Sequence, residues 1–290
     1  MDDFLMRDDA PLTTEEWARL DDVVVAAAKK LLVGRRVIPV HGPVGPGLQT
    51  LVVDRYQVSP ACVHQGGAEG CCEGGECQGE CDCEVVDVSQ RMIVQVPLIH
   101  KDFVLHWRDI ATSRQFGLPL ELGQAAAAAA MVARKEDEMI FAELLAAAKT
   151  RVAAGDWDQP GSVFANLVAA SSALVEAGAY GPYAAVVSPA VYAKMHRPMG
   201  GGGRGMGIGM LEIVQARELA SGGVFQTPAL KDSQALLIAQ GPQNVDLMLG
   251  QDLATAYLGP EAMAHRFRVL ESLALRIKRP EAIAVIATAK

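Results

Sequence analysis

The chain has 290 residues, of which 50% are hydrophobic and 21% are charged, a composition typical of a globular protein. Its formal net charge is −8. Seven acidic residues lie between positions 61 and 90, where there is no Lys or Arg, so the rest of the chain is nearly neutral. Nucleic-acid binders gain affinity from basic residues that neutralise phosphates. The missing basic stripe therefore argues against a nucleic-acid partner.

The ends and the apolar runs of the sequence bear on localisation. The N-terminal MDDFLMRDDAPL carries acidic residues where a secretion signal has positive charge. The longest apolar stretch, Ala125 to Ala133, is far shorter than the roughly 20 residues that a membrane-spanning helix requires. These features predict a cytoplasmic protein with no membrane partner. Thiols are normally reduced in that compartment, so structural disulfides are not expected.

The first predicted element is an amphipathic helix that begins after Thr13. Thr13 and Glu16 have the spacing of a capping box, and apolar residues then recur at helical spacing until Gly34. Two short strands around a Gly/Pro turn are predicted in VIPVHGPVGPGLQTLVVD, and MIVQVPLIHKDFVLHW is typical of a long β run. From Glu121 to Lys149, strong helix formers predict a helix of roughly 40 Å.

The second half of the chain alternates between helix and strand patterns. Helices are predicted near Val163–Ala177 and in PAVYAKMHR and LEIVQAREL, and a strand is predicted in YAAVVS. The last part, from VDLMLGQDLATAYLG onward, is rich in strand patterns. This mixed order, with antiparallel-looking strands at the close, predicts an α+β fold and not a doubly wound sheet.

The spacings that catalysis requires are mostly missing. No histidine forms a Glu-x-x-His pair, and there is no Gly-x-Ser-x-Gly elbow and no Walker loop. Glycines 200, 202 and 205 match a dinucleotide pattern, but such a match is expected by chance in a glycine-rich run. The consecutive carboxylates Glu136, Asp137 and Glu138 point in different directions around a helix. We expect them to pair with arginines across a subunit contact and not to hold a metal, and we predict no catalytic residue.

All six cysteines lie in one acidic, glycine-rich stretch, residues 61–86. They are Cys62, Cys71, Cys72, Cys77, Cys81 and Cys83. The paired C-x2-C spacings of closed zinc sites are absent, but adjacent and C-x-C thiolates can bridge soft metals. Three interpretations stay open: a soft-metal site for zinc, copper or iron, a redox cross-link between neighbouring subunits, and a solvated insertion without a function of its own.

Several ordered blocks of the sequence resemble the encapsulin shell proteins, which form bacterial nanocompartments. The N-terminal APLTTEEWARLDDVVVAAAKKLLVGRRVIPVHGPVG is similar to the family's opening helix, Gly-Arg step and Gly-Pro turn. The blocks KDFVLHWRDI, KEDEMIF, GPYAAVV, LGQDLATAY and FRVLESLALRIKRPEAI follow in the family's order. The resemblance covers essentially the whole chain.

The resemblance implies an α+β fold of the tailed-phage major capsid protein type, also called the Hong Kong 97 type. The implied parts are an N-terminal helix and arm (1–42), an extended loop (43–96) with the cysteine-rich insertion (61–86), a peripheral domain (97–150 and 243–290) and an axial domain (151–242). Such protomers self-assemble into a closed icosahedral shell, with copies in multiples of roughly 60. The main expected partner is therefore the chain itself.

The resemblance also implies a groove that captures the C-terminal targeting peptide of a cargo protein. It would lie between the N-terminal helix, Thr13–Val33, and the peripheral domain. The candidate wall residues are Leu32, Arg35, Val37, Pro39 and Met248. An extended apolar peptide in an apolar groove is a common mode of recognition. Buried packing between helix and strand is the competing explanation for these positions.

The glycine-rich stretch from Met199 to Gly209 corresponds to the axial-domain loop that meets its copies at the five-fold axis. Glycine permits close approach there, so the stretch is expected to shape a small pore. The predicted pore residues are Met199, Gly203, Arg204, Gly205 and Met206. Arg204 is the only charge in this stretch, and a ring of arginines would favour anions.

The implied function is a non-enzymatic shell around a cargo enzyme, either a ferritin-like iron-storage protein or a dye-decolourising peroxidase. No cofactor is required, although some relatives bind a flavin near the tryptophan at the position of Trp107. The sequence around Trp107 favours a core or interface role instead. One alternative is a metal-buffering or redox protein that uses the cysteine cluster on a capsid-like scaffold. Another is a phage head protein, which would contain packaged DNA.

Overall fold

The computed structural model describes residues 3–56, 86–198 and 211–287. The six cysteines and the predicted pore residues, Met199 to Met206, lie outside these ranges. The helices of the described ranges are α1 (Thr14–Lys29), α2 (Gly34–Val37), α3 (Trp107–Phe116), α4 (Gly123–Ala147), α5 (Ser162–Glu176), α6 (Pro189–Lys194) and α7 (Glu212–Leu219). The strands are β1 (Val40–His41), β2 (Thr50–Tyr56), β3 (Val88–Gln95), β4 (Leu98–His106), β5 (Thr150–Ala153), β6 (Tyr183–Val187), β7 (Val224–Gln226), β8 (Gln234–Ala239), β9 (Val245–Glu261), β10 (Ala264–Ile277) and β11 (Ile283–Ala287).

Helix α1 begins at the capping box that the sequence predicts. The Thr13 hydroxyl accepts a hydrogen bond from the Glu16 backbone N–H at 3.3 Å, and the Glu16 carboxylate accepts one from the Thr13 N–H at 2.7 Å. Both donors would otherwise lack a partner at the helix start. The buried face of α1 follows a three- and four-residue spacing through Trp17, Leu20 and Val24. This pattern directs the helix onto α4.

Two sheets of mixed strand direction form the body of the protein. The first has the strand order β1-β9-β10-β4, and the second has the order β5-β11-β8-β6-β7. Each sheet combines parallel and antiparallel pairs. The predicted α+β character is confirmed.

Helix α4 is the spine of the first layer. It spans 25 residues, about 37 Å, and ends two residues inside each predicted limit. Its fully buried side chains include the small residues Ala125, Ala129 and Ala133, which let α1 and the first sheet approach closely. No helix in the described ranges is both long enough and apolar enough to cross a membrane.

The second sheet separates two apolar cores, and strand β11 shows how. Ile283 and Val285 belong to the core beneath α4, whereas Ala284 and Ile286 belong to the core beneath α5. Because both faces of β11 are buried, the strand lies inside the sheet, between β5 and β8. The predicted boundary placed 243–290 in the peripheral domain. Residues 283–287 pair with β5 and with β8, a strand of the segment 151–242. The boundary itself stays a prediction.

Strands β2 and β3 form a separate two-stranded antiparallel ribbon. The ribbon falls within the predicted extended loop and leads to the cysteine-rich insertion. It exposes large apolar side chains, among them Val52 and Ile93, which are 55% and 75% exposed. An isolated ribbon is marginally stable in water and gains stability when its apolar face is covered. The ribbon is therefore suited to contact another copy of the chain.

An aromatic cluster joins α1 to the first sheet. The fully buried Phe267 ring stacks on Phe103 at 5.4 Å between centroids and meets the edge of Trp17 at 5.8 Å. Tyr257 completes the cluster at 5.2 Å. The cluster links residues that are far apart in sequence, so it depends on the complete first layer.

The substitution Phe267→Ala should remove the centre of this cluster. We expect a loss of about 3–5 kcal/mol in the free energy of unfolding, since a buried aromatic leaves a cavity that the sheet cannot close. The midpoint of guanidinium unfolding, followed by tryptophan fluorescence, measures it. The matched control is Phe116→Ala, because Phe116 is 66% exposed at the end of α3. An equal loss of unfolding free energy in Phe267→Ala and Phe116→Ala would contradict the assignment of Phe267 to the centre of this cluster.

Candidate functional site

The turn between α1 and β1 is held against α4 by a buried carboxylate. Asp137 of α4 accepts hydrogen bonds from the backbone N–H groups of Val33 at 3.1 Å and Gly34 at 2.9 Å. A Cβ at Gly34 would lie 2.7 Å from the terminal methyl of Ile140, so a larger residue there would force the Ile140 side chain to shift. The start of α2 is thereby capped by a different helix.

Burial raises the pKa of Asp137 to about 6, although the two backbone N–H groups oppose the shift. The Glu136 charge beside it raises the pKa further. The ionised form accepts both backbone hydrogen bonds, so the cap is strongest above about pH 6. Asp137 belongs to the structure of the turn and has no free acceptor role toward solvent.

Arg35 lies at the centre of a charged cluster next to this cap. Its guanidinium donates to Glu136 at 2.9 and 2.7 Å, to Glu271 at 2.7 Å and to Asp252 at 2.7 Å. Glu136 and Glu271 are fully buried, whereas Asp252 is exposed. Burial alone would lower the pKa of Arg35, but the Glu136 and Glu271 charges raise it well above its usual value. Arg35 is therefore always charged here.

The two buried carboxyl groups compete for this one cation. Burial raises the pKa of Glu271 strongly, and the neighbouring Glu136 charge raises it further, while Arg35 lowers it. Glu271 Oε1 receives no hydrogen bond from the described residues. Two adjacent buried carboxylates are seldom both ionised, so the pair holds one proton at neutral pH.

These contacts correct one prediction. Glu136, Asp137 and Glu138 were expected to pair with arginines of another subunit. Glu136 pairs instead with Arg35 of the same chain, and Asp137 caps backbone N–H groups. Only Glu138 is on the surface, and it pairs with Arg134 of its own helix. Glu136 and Asp137 lie on the buried face of α4. That face is hard to recognise in the sequence, because an alanine-rich helix shows little contrast between its apolar and polar sides.

Three adjoining depressions surround the turn between α1 and β1. One, of about 570 Å³, is lined by Arg36, Pro39 and Gln240 among others. The second, of about 510 Å³, shares Arg36 with the first and reaches Tyr192. The third, of about 410 Å³ and mostly apolar, shares Leu31 and Pro228 with the second. We call this continuous surface, from Pro39 to Met131, the terminal groove.

The terminal groove contains three of the five residues predicted to bind cargo. Arg35, Val37 and Pro39 line its first depression, although the Arg35 side chain is held in the charged cluster and Val37 is almost fully buried. Leu32 faces the core instead, where it packs with Ala28 and Ala133. Met248 is half-buried on β9, where it pairs with His41 of β1. Helix and strand packing thus occupies Leu32 and Val37.

Sequence reasoning missed the residues that are most available in the groove. Leu31, just after the end of α1, and Met131, on α4, are 40% and 55% exposed. An exposed apolar residue next to the buried stripe of a helix is the signal that could have found both. Pro228 and Tyr192 come from the far half of the chain, so no local pattern could have placed them beside α1.

The remaining predicted sites lie elsewhere. Trp107, the first residue of α3, is nearly half exposed and lines none of the three depressions. The candidate metal ligands and the pore residues fall outside the described ranges. Among the residues that are described, no group of three or more His, Cys, Asp or Glu side chains could hold a metal ion.

The fold is that of the tailed-phage capsid proteins. The capsid of Myoviridae phage XM1 superposes with a TM-score of 0.58 at 11% identity, covering 89% of this chain and 92% of that chain. A virus-like particle from Pyrococcus furiosus superposes with a TM-score of 0.70 at 22% identity, covering 94% of this chain and all of that chain. The predicted fold class is confirmed.

The sequence relatives define the family more closely. Residues 1–274 match Linocin_M18, described as an encapsulating protein for peroxidase. The type 1 encapsulin shell protein EncA of Myxococcus xanthus strain DK1622 is 40% identical over 296 residues, covering 99% of this chain and 97% of that protein. The chain belongs to this encapsulin family, as the resemblance implied.

The shared proton in the Arg35 cluster makes stability depend on pH. Because the folded pKa of Glu271 is raised, the folded state keeps a proton that the unfolded state releases above its ordinary value of 4.5. Stability from this group is complete below that value and is lost as the pH rises toward the folded pKa. Glu271→Gln imitates the protonated form. Relative to wild type, it should gain up to about 1.4 kcal/mol per pH unit between pH of about 6.5 and 8.5.

Urea unfolding of both proteins across this range measures the gain. This pH range lies above the raised pKa of Asp137, so the titration of Asp137 contributes little to the change of stability with pH. Glu138→Gln on the exposed face of α4 should keep the wild-type pH dependence. A Glu271→Gln difference that stays constant with pH would show that the pair holds no extra proton.

Proposed function

We propose that this chain is the shell protomer of an encapsulin nanocompartment, assembles with its own copies into a closed icosahedral particle, and is not itself an enzyme. The observation that carries the proposal is the capsid fold combined with the β2–β3 ribbon, which presents Val52 and Ile93 to solvent. Exposed apolar surface of this kind is stabilised by burial against a partner. The similarity to a shell protein of nearly equal length supports the same conclusion.

The terminal groove is the proposed docking site for the cargo's targeting peptide. Its three depressions adjoin one another, and the mostly apolar third depression offers Leu31, Met131 and Pro228 to an apolar side chain. Peptide recognition of this type needs a pre-formed surface, because ordering a loose site would cost affinity. The Asp137 cap and the Arg35 cluster supply that order.

The cargo is proposed to be a dye-decolourising peroxidase or a ferritin-like protein, and the compartment to serve oxidative-stress defence or iron storage in the cytoplasm. The description of the family as encapsulating protein for peroxidase supports the first cargo class. A sequence without catalytic spacings fits a protein that encloses an enzyme.

Cargo capture can be tested separately from assembly. The probe is a fluorescent protein that carries the C-terminal peptide of the peroxidase or ferritin-like protein encoded beside the shell gene. With Leu31→Glu and Met131→Glu combined, we expect at least a tenfold loss of co-purified fluorescence per particle, since an apolar peptide would meet two buried carboxylates. Particle size in size-exclusion chromatography should stay at the wild-type value.

The control is Val25→Glu, which adds one carboxylate to the exposed surface of α1 outside the groove and should retain the probe. Retention of the probe by the double variant would move the docking site elsewhere. Elution of wild type as a monomer would contradict the shell assignment itself.

The cysteine-rich segment is proposed to bind a soft metal ion, because six thiols lie within 22 positions, from Cys62 to Cys83. Thiolates in such close sequence are ligands for zinc, copper or ferrous iron. Cargo-free particles purified under reductant should then contain about one or more of these ions per chain by elemental analysis. Replacement of all six cysteines by serine should remove the metal and leave particle size unchanged. Equal metal content in both proteins would refute this site.

A further inference from the structure

A second pocket, lined by several charged residues, lies at the base of the β2–β3 ribbon. It has a volume of about 330 Å³. One wall is the ribbon, with Arg55, Tyr56 and Gln90, and the other is the connection from β10 to β11, residues 278–281. The end of α4 and the end of α5 close the remaining sides through Lys149 and Ala177.

Cations dominate the lining of this pocket. Arg55, Lys149, Lys278 and Arg279 come from three separate stretches of chain, and the only acidic lining residue is Glu281. Glu281 is already paired with Lys149 at 2.6 Å. Lys278 is paired with the buried Asp246 at 2.7 Å, behind the pocket wall. The two lysines therefore have counter-ions within the described chain.

The two arginines have only neutral acceptors among the described residues. Arg55 donates to the backbone carbonyl of Ile277 at 3.3 Å and, weakly, to the Gln90 side chain at 3.4 Å. Arg279 donates to the carbonyls of Gly178 and Ala177 at 3.3 and 3.5 Å. These bonds are long for charged donors, which form their best hydrogen bonds at about 2.7–2.9 Å.

We propose that this pocket is an oxyanion site that binds a carboxylate or phosphate group between Arg55 and Arg279. Two half-buried guanidinium groups repel each other unless an anion lies between them. A guanidinium offers two parallel N–H groups, which match the oxygens of a carboxylate or phosphate. The pocket has room for such a group and for the waters around it.

Inorganic phosphate is the simplest ligand with this chemistry, because its oxygens can accept the N–H groups of both Arg55 and Arg279. The inference does not depend on the cargo proposal.

Isothermal titration of inorganic phosphate into assembled, cargo-free particles at low ionic strength tests the site. Three proteins are compared: wild type, Arg55→Gln and Arg108→Gln. Arg108→Gln on the surface of α3 is the matched control for the loss of one charge.

Phosphate binding by wild type, weakened at least tenfold by Arg55→Gln and unchanged by Arg108→Gln, supports the site. Absence of phosphate binding by wild type would overturn the inference. An equal loss in Arg55→Gln and Arg108→Gln would also overturn it. Particle size, measured in parallel, reports separately on the shell assignment.

Discussion

The Arg35 cluster is the constraint on which the first layer depends. The Arg35 guanidinium donates hydrogen bonds to one side chain each from α4, β9 and β10. These three residues lie 101, 217 and 236 positions after Arg35 in the sequence. A buried ionic cluster is a poor source of net stability, because desolvation offsets the attraction between its charges. It does impose a single geometry, since removing Arg35 would leave two buried carboxyl groups without a cation. The cluster therefore secures the position of α2 at the cost of a proton held by the Glu136–Glu271 pair.

The shape of the terminal groove depends on this fixed position of α2. Asp137 and Gly34 set the distance between α2 and α4, and β1 then continues into the first sheet beside Leu247. The groove lies where the end of α1 passes the loop after β7, so its two walls belong to different halves of the chain. A peptide that binds there would contact the end of α1 and the loop after β7 at the same time.

Sequence reasoning succeeded where the signal is local. The capping box at Thr13, the long helix over Gly123–Ala147 and the α+β class all follow from spacing and composition. It failed where the structure depends on contacts between distant segments. Glu136 looked like a surface acid because alanine-rich helices have little amphipathic contrast, and no local pattern predicted the pairing of β11 with β8, because that pairing spans nearly fifty positions. The family resemblance supplied the fold and the existence of a groove, but not the residues exposed in it.

The two charged sites of the protein have opposite excesses of charge, and so they respond to different conditions. The Arg35 cluster has more carboxyl groups than cations, and it is balanced by a proton, so pH is the variable that shifts it. The pocket at the ribbon base has more cations than carboxylates, and arginine keeps its charge at any pH that the fold tolerates. Its balance must come from an anion, so ionic strength is the variable that shifts it. Particles that change with salt at constant pH would thus indicate the ribbon, and particles that change with pH at constant salt would indicate the first layer.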